Sequence, residues 1–235
     1  GGSTAKSYPV IYLDAVPSGG WTDTYKTTKL VLRRVPAGTN SAGGSMSKDM
    51  WVGVFELTQG QYKNISGDRY YDYGGLTPTK LTRNHLTSED SVFSIGEVLL
   101  AISKKAAALS GARLPTQTEW EYACRAGTTT DYNNGTNASD ANMKKVGCYY
   151  GNNSRFGNGR APVGSFVANA WGLYDMHGNI EECVSDGAFY VGGDGHCICG
   201  GNYESSYQSC TSASVMGDGG WSGAGGGLRV CATVK

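Results

Sequence analysis

The amino-acid sequence predicts a single α+β domain that is rich in loops, with two main helices and short antiparallel strands. The chain has 36 glycines among 235 residues, about 15 % and roughly twice the usual share, which predicts many tight turns. Helical spacing of apolar residues is clear in two stretches, and the alternation typical of strands is confined to short runs. No repeat or linker divides the chain, so we expect one domain over residues 1–235.

The first strands are expected in the N-terminal quarter of the chain. Residues 22–39 alternate and carry β-branched side chains, which predicts a strand running into a turn at Pro36-Ala37-Gly38. The stretch "WVGVFELTQGQYKNI" (51–65) predicts a strand followed by a short helix.

Both main helices are predicted in the middle of the chain. Residues 91–109 carry apolar side chains at helical spacing, and Gly111 follows where a left-handed cap is needed. The second helix lies within 116–127, where Thr116 and Glu119 form a capping-box pattern and Gly127 can end the helix. Aromatic residues at this spacing usually belong to the core. Beyond Gly127, residues 128–145 and 149–162 are polar and rich in Asn and Gly, which predicts loops.

Charge and hydropathy exclude two classes of partner. Twenty basic residues balance twenty acidic ones, and no Lys or Arg lies between Arg160 and Arg229. Because affinity for a phosphate backbone depends on such cations, we expect no nucleic-acid partner. No run of 18 apolar residues occurs, so no transmembrane segment is predicted, and the N-terminus lacks the pattern of a signal peptide.

Seven cysteines form an odd set, so at least one thiol is expected to be unpaired within the chain. A zinc site at His196-Cys197-Ile198-Cys199 with Cys183 is one interpretation, although the usual two-residue gap between ligands is missing. Buried small hydrophobic residues or a local disulfide are the alternatives. We predict no metal site from these residues.

Several motifs, in order, identify a family. "RLPTQTEWEYACRAG" (113–127), "VGSFVANAWGLYDMHGNIEECVSD" (163–186), "GGNY" (200–203) and "GGLRV" (226–230) resemble the domain of the formylglycine-generating enzyme family, over roughly residues 28–231. The resemblance implies a C-type-lectin-like fold decorated with helices and long loops. It also allows a structural calcium ion, whose ligands the sequence does not place; no other cofactor is expected.

The oxidising members of this family carry two cysteines, five residues apart, after the Gly-Gly pair; they bind copper and attack a substrate cysteine. The matching positions here are Ser205 and Cys210. A serine cannot act as a thiolate, so the first nucleophile is missing. A second departure is Glu181-Glu182-Cys183, where the family usually has Trp-Glu-Trp. A thiol-dependent oxidase using Cys210 is therefore the alternative function.

The sequence pattern of residues 200–230, from the Gly-Gly pair to the Gly-Leu-Arg-Val motif, resembles that of the variable proteins of diversity-generating retroelements. That resemblance implies a non-enzymatic receptor or adhesin on a cell surface, with a ligand-binding region at about 200–230 and an unknown protein or other surface molecule as partner. Tyrosine, serine and glycine there are also the mix that forms antibody paratopes. An undiversified structural module, with Tyr203 in the core, is the remaining alternative. The predicted ligand-binding residues are Tyr203, Glu204, Ser205, Ser206, Tyr207, Gln208, Ser214, Met216, Asp218, Trp221, Ser222 and Ala224.

Overall fold

The computed structural model describes residues 11–66, 102, 111–186, 197–217 and 226–234. Its helices in these ranges are α1 (Asp23–Thr27), α2 (Gln59–Ser66), α3 (Gln117–Arg125) and α4 (Asp140–Val146), with 3-10 turns at Asn153–Phe156 and Tyr207–Cys210. Its strands are β1 (Leu32–Val35), β2 (Gly38–Thr39), β3 (Ser45–Met46), β4 (Met50–Gly53), β5 (Glu182–Cys183), β6 (Cys197–Cys199), β7 (Val215–Gly217) and β8 (Cys231–Thr233).

Two small antiparallel sheets and a hairpin organise the strands. One sheet has the order β1-β4-β8, so the last strand of the chain pairs with an early one, with Met50 opposite Thr233. The other sheet has the order β5-β6-β7, and β2 with β3 forms the hairpin. This pairing, which joins distant parts of the chain, confirms the prediction of short antiparallel strands.

Helix α3 lies at the centre of this core. Trp120 and Cys124 are buried on it, as expected, in a cluster that also contains Val52 of β4 and Cys199 of β6. The capping box is present: the Thr116 side chain accepts from the Glu119 backbone N–H, and the Glu119 side chain accepts from the Thr116 N–H. The helix ends at Arg125, with Ala126 at the C-cap in the left-handed conformation (φ 46°), and Gly127 follows it at φ 93°, as expected of a capping glycine.

A buried ion pair joins β5 to the C-terminal motif. Arg229 donates to both Glu182 oxygens, with Nη2 2.6 Å from Oε1, and its Nη1 donates to the carbonyl of Gly53. Trp120 Nε1 donates to Glu182 Oε2 at 2.7 Å. The motif Glu181-Glu182-Cys183 differs from the usual Trp-Glu-Trp at its two outer positions. Its central residue, Glu182, is still a glutamate, and it accepts hydrogen bonds from both Arg229 and Trp120.

Two local predictions were wrong. Residues 23–27 form helix α1 instead of the first part of a strand, and the strand in this region is limited to Leu32–Val35. The predicted loop 128–145 contains helix α4, which Ser139 caps through its side chain on the Asn142 N–H. A good N-cap residue outweighed the polar, glycine-containing context.

Other predictions have different outcomes. The strand and helix expected at 51–65 are confirmed by β4 and α2. The helix predicted over 91–109 falls outside the described residues apart from Ile102, which is helical and buried. All seven cysteines are buried, which agrees with their interpretation as small hydrophobic residues.

Candidate functional site

The predicted binding residues that the structure describes lie on one long connection between β6 and β7, apart from Met216, which lies within β7 opposite Ile198. We call residues 203–216 the display segment. Cys199 and Val215 are paired at the base of this connection, so it leaves the sheet and returns to it at the same place. Asp218, Trp221, Ser222 and Ala224 lie outside the described residues.

The Gly-Gly pair sets the direction in which the chain leaves β6. Both glycines have positive φ, 86° at Gly200 and 68° at Gly201, which is favourable only for glycine. A Cβ atom on Gly201 would lie 2.6 Å from the Ser209 carbonyl oxygen and 2.8 Å from Cys210 Sγ. The turn therefore packs directly against the far end of the display segment, and a side chain there would push it away.

The body of the domain holds the display segment chiefly through main-chain carbonyls. Each of these oxygens accepts a hydrogen bond from a group outside the segment, and the donors come from three separate parts of the chain. The bonds are Asn153 Nδ2 to Tyr203 O (2.9 Å), Tyr150 N to Ser205 O (3.1 Å), Tyr132 Oη to Tyr207 O (2.7 Å) and His177 Nδ1 to Cys210 O (2.7 Å).

His177, one of these donors, is fully buried. Its Nε2 accepts from the Asn133 backbone N–H at 3.1 Å, so the ring proton lies on Nδ1, which faces the carbonyl oxygen of Cys210. Burial lowers the pKa of His177 to about 4, because the charged ring would lose its hydration. The imidazole is thus a neutral, fixed bridge between two loops.

Asn179 fixes the start of the display segment. Its carbonyl accepts from the Tyr203 N–H at 3.1 Å, and its side-chain Nδ2 donates to Glu56 Oε2 at 2.7 Å. Asn179 adopts φ 64°, a conformation that asparagine tolerates better than most residues. Burial and the nearby Asp175 and Glu182 raise the pKa of Glu56 well above its ordinary value. A buried polar network therefore supports the turn beneath Tyr203.

Side chains of the display segment differ in exposure. Glu204, Ser206, Gln208 and Met216 are exposed, whereas Tyr203, Ser205, Tyr207 and Ser214 are half-buried. Ser205 Oγ contacts Asn202, and Ser214 Oγ lies 3.1 Å from Thr211 Oγ1. Tyr207 packs against the small core cluster that contains Tyr132 and Cys210. The exposed members point to solvent, and the half-buried ones also shape the segment.

The donors at the two oxidase positions do not fit a copper ion. Cys210 is fully buried among aromatic and aliphatic side chains, and burial raises the pKa of its thiol to about 12. The Ser205 hydroxyl is engaged with the backbone N–H of Asn202 at 3.0 Å. Copper at such a site needs accessible thiolates. The buried Cys210 thiol and the Ser205 hydroxyl do not supply them.

The described residues contain neither a metal-ligand cluster nor a membrane-spanning helix. Within the ranges that the structure describes, no group of three or more His, Cys, Asp or Glu side chains is arranged to hold a metal ion. In the same part of the chain, no helix has both the length and the apolar character needed to cross a bilayer.

Sequence reasoning missed the groups that hold the display segment. Tyr132 and Asn153 lie in stretches predicted as plain loops, and His177 lies inside the family motif without an assigned role. A signal was present in the Asn-rich composition of these loops, because asparagine side chains often satisfy main-chain groups. Which carbonyl each donor meets depends on contacts between residues far apart in sequence.

The fold and the anchored connection define a C-type-lectin-like domain of the formylglycine-generating-enzyme type. The chain belongs to the sulfatase-modifying factor enzyme 1-like domain family, whose family model matches residues 40–233.

Two curated relatives match parts of the chain. A formylglycine-generating enzyme of Mycobacterium tuberculosis is 43% identical over 79 residues, which is 31% of this chain and 26% of that enzyme. The chaperone protein LppX of Paenibacillus barcinonensis is 26% identical over 175 residues, 57% of this chain and 61% of that protein. The matched part of the chain thus spans less than two thirds of the length of these relatives.

Solved structures of the same fold cover most of the chain. Variable protein 1 of Treponema denticola superposes with a TM-score of 0.62 at 18% identity, over 86% of this chain and 94% of that one. PvdO of Pseudomonas aeruginosa superposes with a TM-score of 0.62 at 21% identity, over 86% and 92%. At 18% and 21% identity, these likenesses establish the fold alone.

Proposed function

We propose that this protein is a non-enzymatic receptor or adhesin whose display segment binds a ligand at a cell surface and is diversified by a retroelement. The observation that carries this proposal is the anchoring of the segment through its carbonyl oxygens. A hydrogen bond to a main-chain atom survives a change of side chain at the same residue. Exposed positions in the segment can therefore vary while its path stays fixed.

The composition of the segment supports a binding role. Tyr203 and Tyr207 are aromatic, with few rotatable bonds, and they stand among small serines and exposed polar residues. This combination gives large contact area at a low entropy cost. The structural likeness to a protein that is itself called variable supports diversification, and the resemblance of the C-terminal motifs supports it independently.

Enzymatic oxidation is the weaker candidate. The family includes formylglycine-generating enzymes, but Cys210 is shielded from solvent and its thiolate is disfavoured by burial. A nucleophilic thiol needs exposure and a depressed pKa. We therefore infer that Cys210 is a core residue that supports the segment from below.

The decisive experiment is deep sequencing of codons 195–231 across copies of this gene in a population of its source organism. We expect substitutions at adenine positions in codons 203–225, including those of exposed residues such as Ser206. Codons for Gly201, Cys210 and Ser212 should be constant, because these residues are buried in the turn and core. An invariant stretch would contradict diversification and leave a binder of fixed specificity or a structural module.

A parallel assay addresses the enzymatic alternative. The purified protein is loaded with Cu(I) and incubated with a cysteine-containing peptide under oxygen, and aldehyde formation is followed by mass spectrometry. We expect no aldehyde and no copper bound through Cys210. Aldehyde formation that disappears in Cys210→Ala would refute the non-enzymatic assignment.

A further inference from the structure

An exposed tyrosine stands beside the display segment without belonging to it. The Tyr150 side chain is 74% exposed, whereas the preceding Tyr149 is buried in the core cluster with Cys210. The Tyr150 backbone N–H donates to the Ser205 carbonyl at 3.1 Å. This bond places the main chain of the 147–160 loop next to the middle of the segment and leaves the phenol ring in solvent.

A cation from the same loop lies near the start of the segment. Ala161, which follows Arg160, donates from its backbone N–H to Asn179 Oδ1 at 2.8 Å. The Asn179 carbonyl accepts from the Tyr203 N–H at 3.1 Å. Arg160 therefore lies close to Tyr203, where burial raises the pKa of the phenol and the charge of Arg160 lowers it. Among the residues that the structure describes, Arg160 Nη1 is shielded from solvent and meets no hydrogen-bond acceptor. The nearby Glu181 already accepts from Asn202 Nδ2 at 2.5 Å. Arg160 as a whole is half-buried, and the part of its side chain that solvent reaches can gain charge-assisted hydrogen bonds from an incoming carboxylate, because a guanidinium has five donors and no acceptor.

The wider charge distribution favours an acidic ligand. Residues 140–160 carry the cations Lys144, Lys145, Arg155 and Arg160 and a single carboxylate, Asp140, which pairs with Lys144 at 2.6 Å. Over the described residues 197–217, Glu204 is the only acidic residue and no Lys or Arg occurs. The loop therefore supplies the positive charge that the segment lacks.

We propose that the binding face is composite: Tyr150 and Arg160 add a fixed aromatic anchor and a fixed cation to the display segment, and the ligand is a protein that presents a carboxylate side chain flanked by apolar residues. This inference rests on the proposed function and narrows its ligand class. Variation in the segment then tunes specificity around a contact that does not vary. Tyrosine and arginine are the residues that most often carry binding energy at protein interfaces.

The test uses two short peptides that differ in one group. Acetyl-Leu-Glu-Leu-amide and acetyl-Leu-Gln-Leu-amide are titrated into the ¹⁵N-labelled protein, and amide and arginine Nε shifts are followed by NMR. We expect saturable shifts at Tyr150, Arg160, Tyr203 and Glu204, with about tenfold weaker binding of the glutamine peptide, since the charge-assisted bond is lost.

Matched variants separate the contact from general charge. Arg160→Gln should weaken binding of the glutamate peptide about tenfold and make the affinities of the two peptides equal. Arg33 is an exposed arginine on strand β1, and Arg33→Gln should leave both dissociation constants unchanged. Tyr150→Ala should weaken both peptides. Tyr12→Ala is its control, because Tyr12 is 75% exposed and contacts Trp51 of the other sheet.

Each outcome decides between the two proposals. Equal binding of the peptides, no saturable binding of either up to about 10 mM, or equal effects of Arg160→Gln and Arg33→Gln overturns the composite face. Shifts confined to residues 203–216, without Tyr150 and Arg160, overturn it as well but leave the display segment as a binding site. Failure of the proposed function would instead appear as an invariant gene segment or as peptide oxidation. The NMR spectra themselves report whether each variant is folded.

Discussion

The His177 imidazole donates from Nδ1 to the carbonyl oxygen of Cys210 at 2.7 Å and accepts from the Asn133 N–H through Nε2. One neutral side chain thus ties the display segment to two other loops. The bond with Asn133 needs the ring to be uncharged, because a protonated ring has no acceptor for the Asn133 N–H, whereas the bond to the Cys210 carbonyl does not depend on the charge of the ring.

The neutral state of His177 predicts acid sensitivity. Its pKa is lowered from 6.5 to about 4 in the folded protein, so its contribution to stability is complete above pH 6.5 and is lost as the pH falls toward 4. We expect the difference in free energy of unfolding between wild type and His177→Gln to shrink by about 3 kcal/mol between pH 7.5 and pH 4. Urea denaturation at several pH values measures this difference.

The free energy of unfolding must be compared between wild type and His177→Gln, because Asp175 changes stability with pH in the opposite direction to His177. Burial raises the pKa of Asp175 to about 6, so its contribution to stability is lost as the pH rises from about 4 to 6. That contribution cancels between wild type and His177→Gln. A pH-independent difference would mean that the imidazole is not the acid-sensitive group.

Removing the Tyr132 hydroxyl should loosen the display segment without unfolding the domain. Tyr132→Phe deletes the donor to the Tyr207 carbonyl and keeps the ring in its cluster, so we expect a loss of about 1 kcal/mol. Hydrogen exchange should accelerate at amides 207–210 and remain unchanged in helix α3. Tyr12→Phe, at an exposed ring, is the control. Unchanged exchange near Tyr207 would show that this bond does not hold the segment.

A methyl group at Gly201 should be much less tolerated than one at Gly135. Both residues have positive φ, 68° and 81°, so alanine introduces backbone strain of about 1 kcal/mol at either site. Only Gly201 faces a further clash, with the Ser209 carbonyl and Cys210 Sγ, while a Cβ on Gly135 meets nothing within 4 Å. Thermal unfolding should therefore show Gly201→Ala as clearly the less stable variant; equal losses would contradict the close approach.

The buried ion pair predicts a large loss when its cation is removed. Arg229→Gln leaves Glu182 uncompensated in the core, where Glu56 and Asp175 are also buried, and we expect a loss of about 3–5 kcal/mol. Arg34→Gln breaks the exposed pair with Asp49 and should change stability by at most about 1 kcal/mol. Chemical denaturation of Arg229→Gln and Arg34→Gln measures the free energy of unfolding of each variant. A loss at Arg229 no larger than that at Arg34 would contradict the stabilising role of the buried ion pair.

Local signals in the sequence were sufficient for parts of the fold. Thr116 and Glu119 fixed the start of helix α3, because a capping box needs only neighbouring residues. Helix α1 was missed because five residues with no buried side chain leave no periodic pattern. The strand pairing of Met50 with Thr233 could not be derived from either segment, since it depends on closure of the whole chain.

The candidate site shows the same division. The position of the display segment followed from its motifs, and its composition indicated binding. The half-burial of Tyr207 and the engagement of Ser205 with Asn202 depend on how the connection folds back on helix α4 and on its own turn. Side chains that look equivalent in the amino-acid sequence of the display segment therefore differ in which groups they can contact.

The seven buried thiols have a practical consequence. A buried cysteine reacts with an alkylating reagent only when the structure around it opens, so each cysteine is a built-in reporter for its own region. Cys210 records opening beneath the display segment, Cys231 records release of strand β8, and Cys124 records unpacking of helix α3. Mass spectrometry of partially alkylated protein would thus yield a map of local opening free energies without any introduced label.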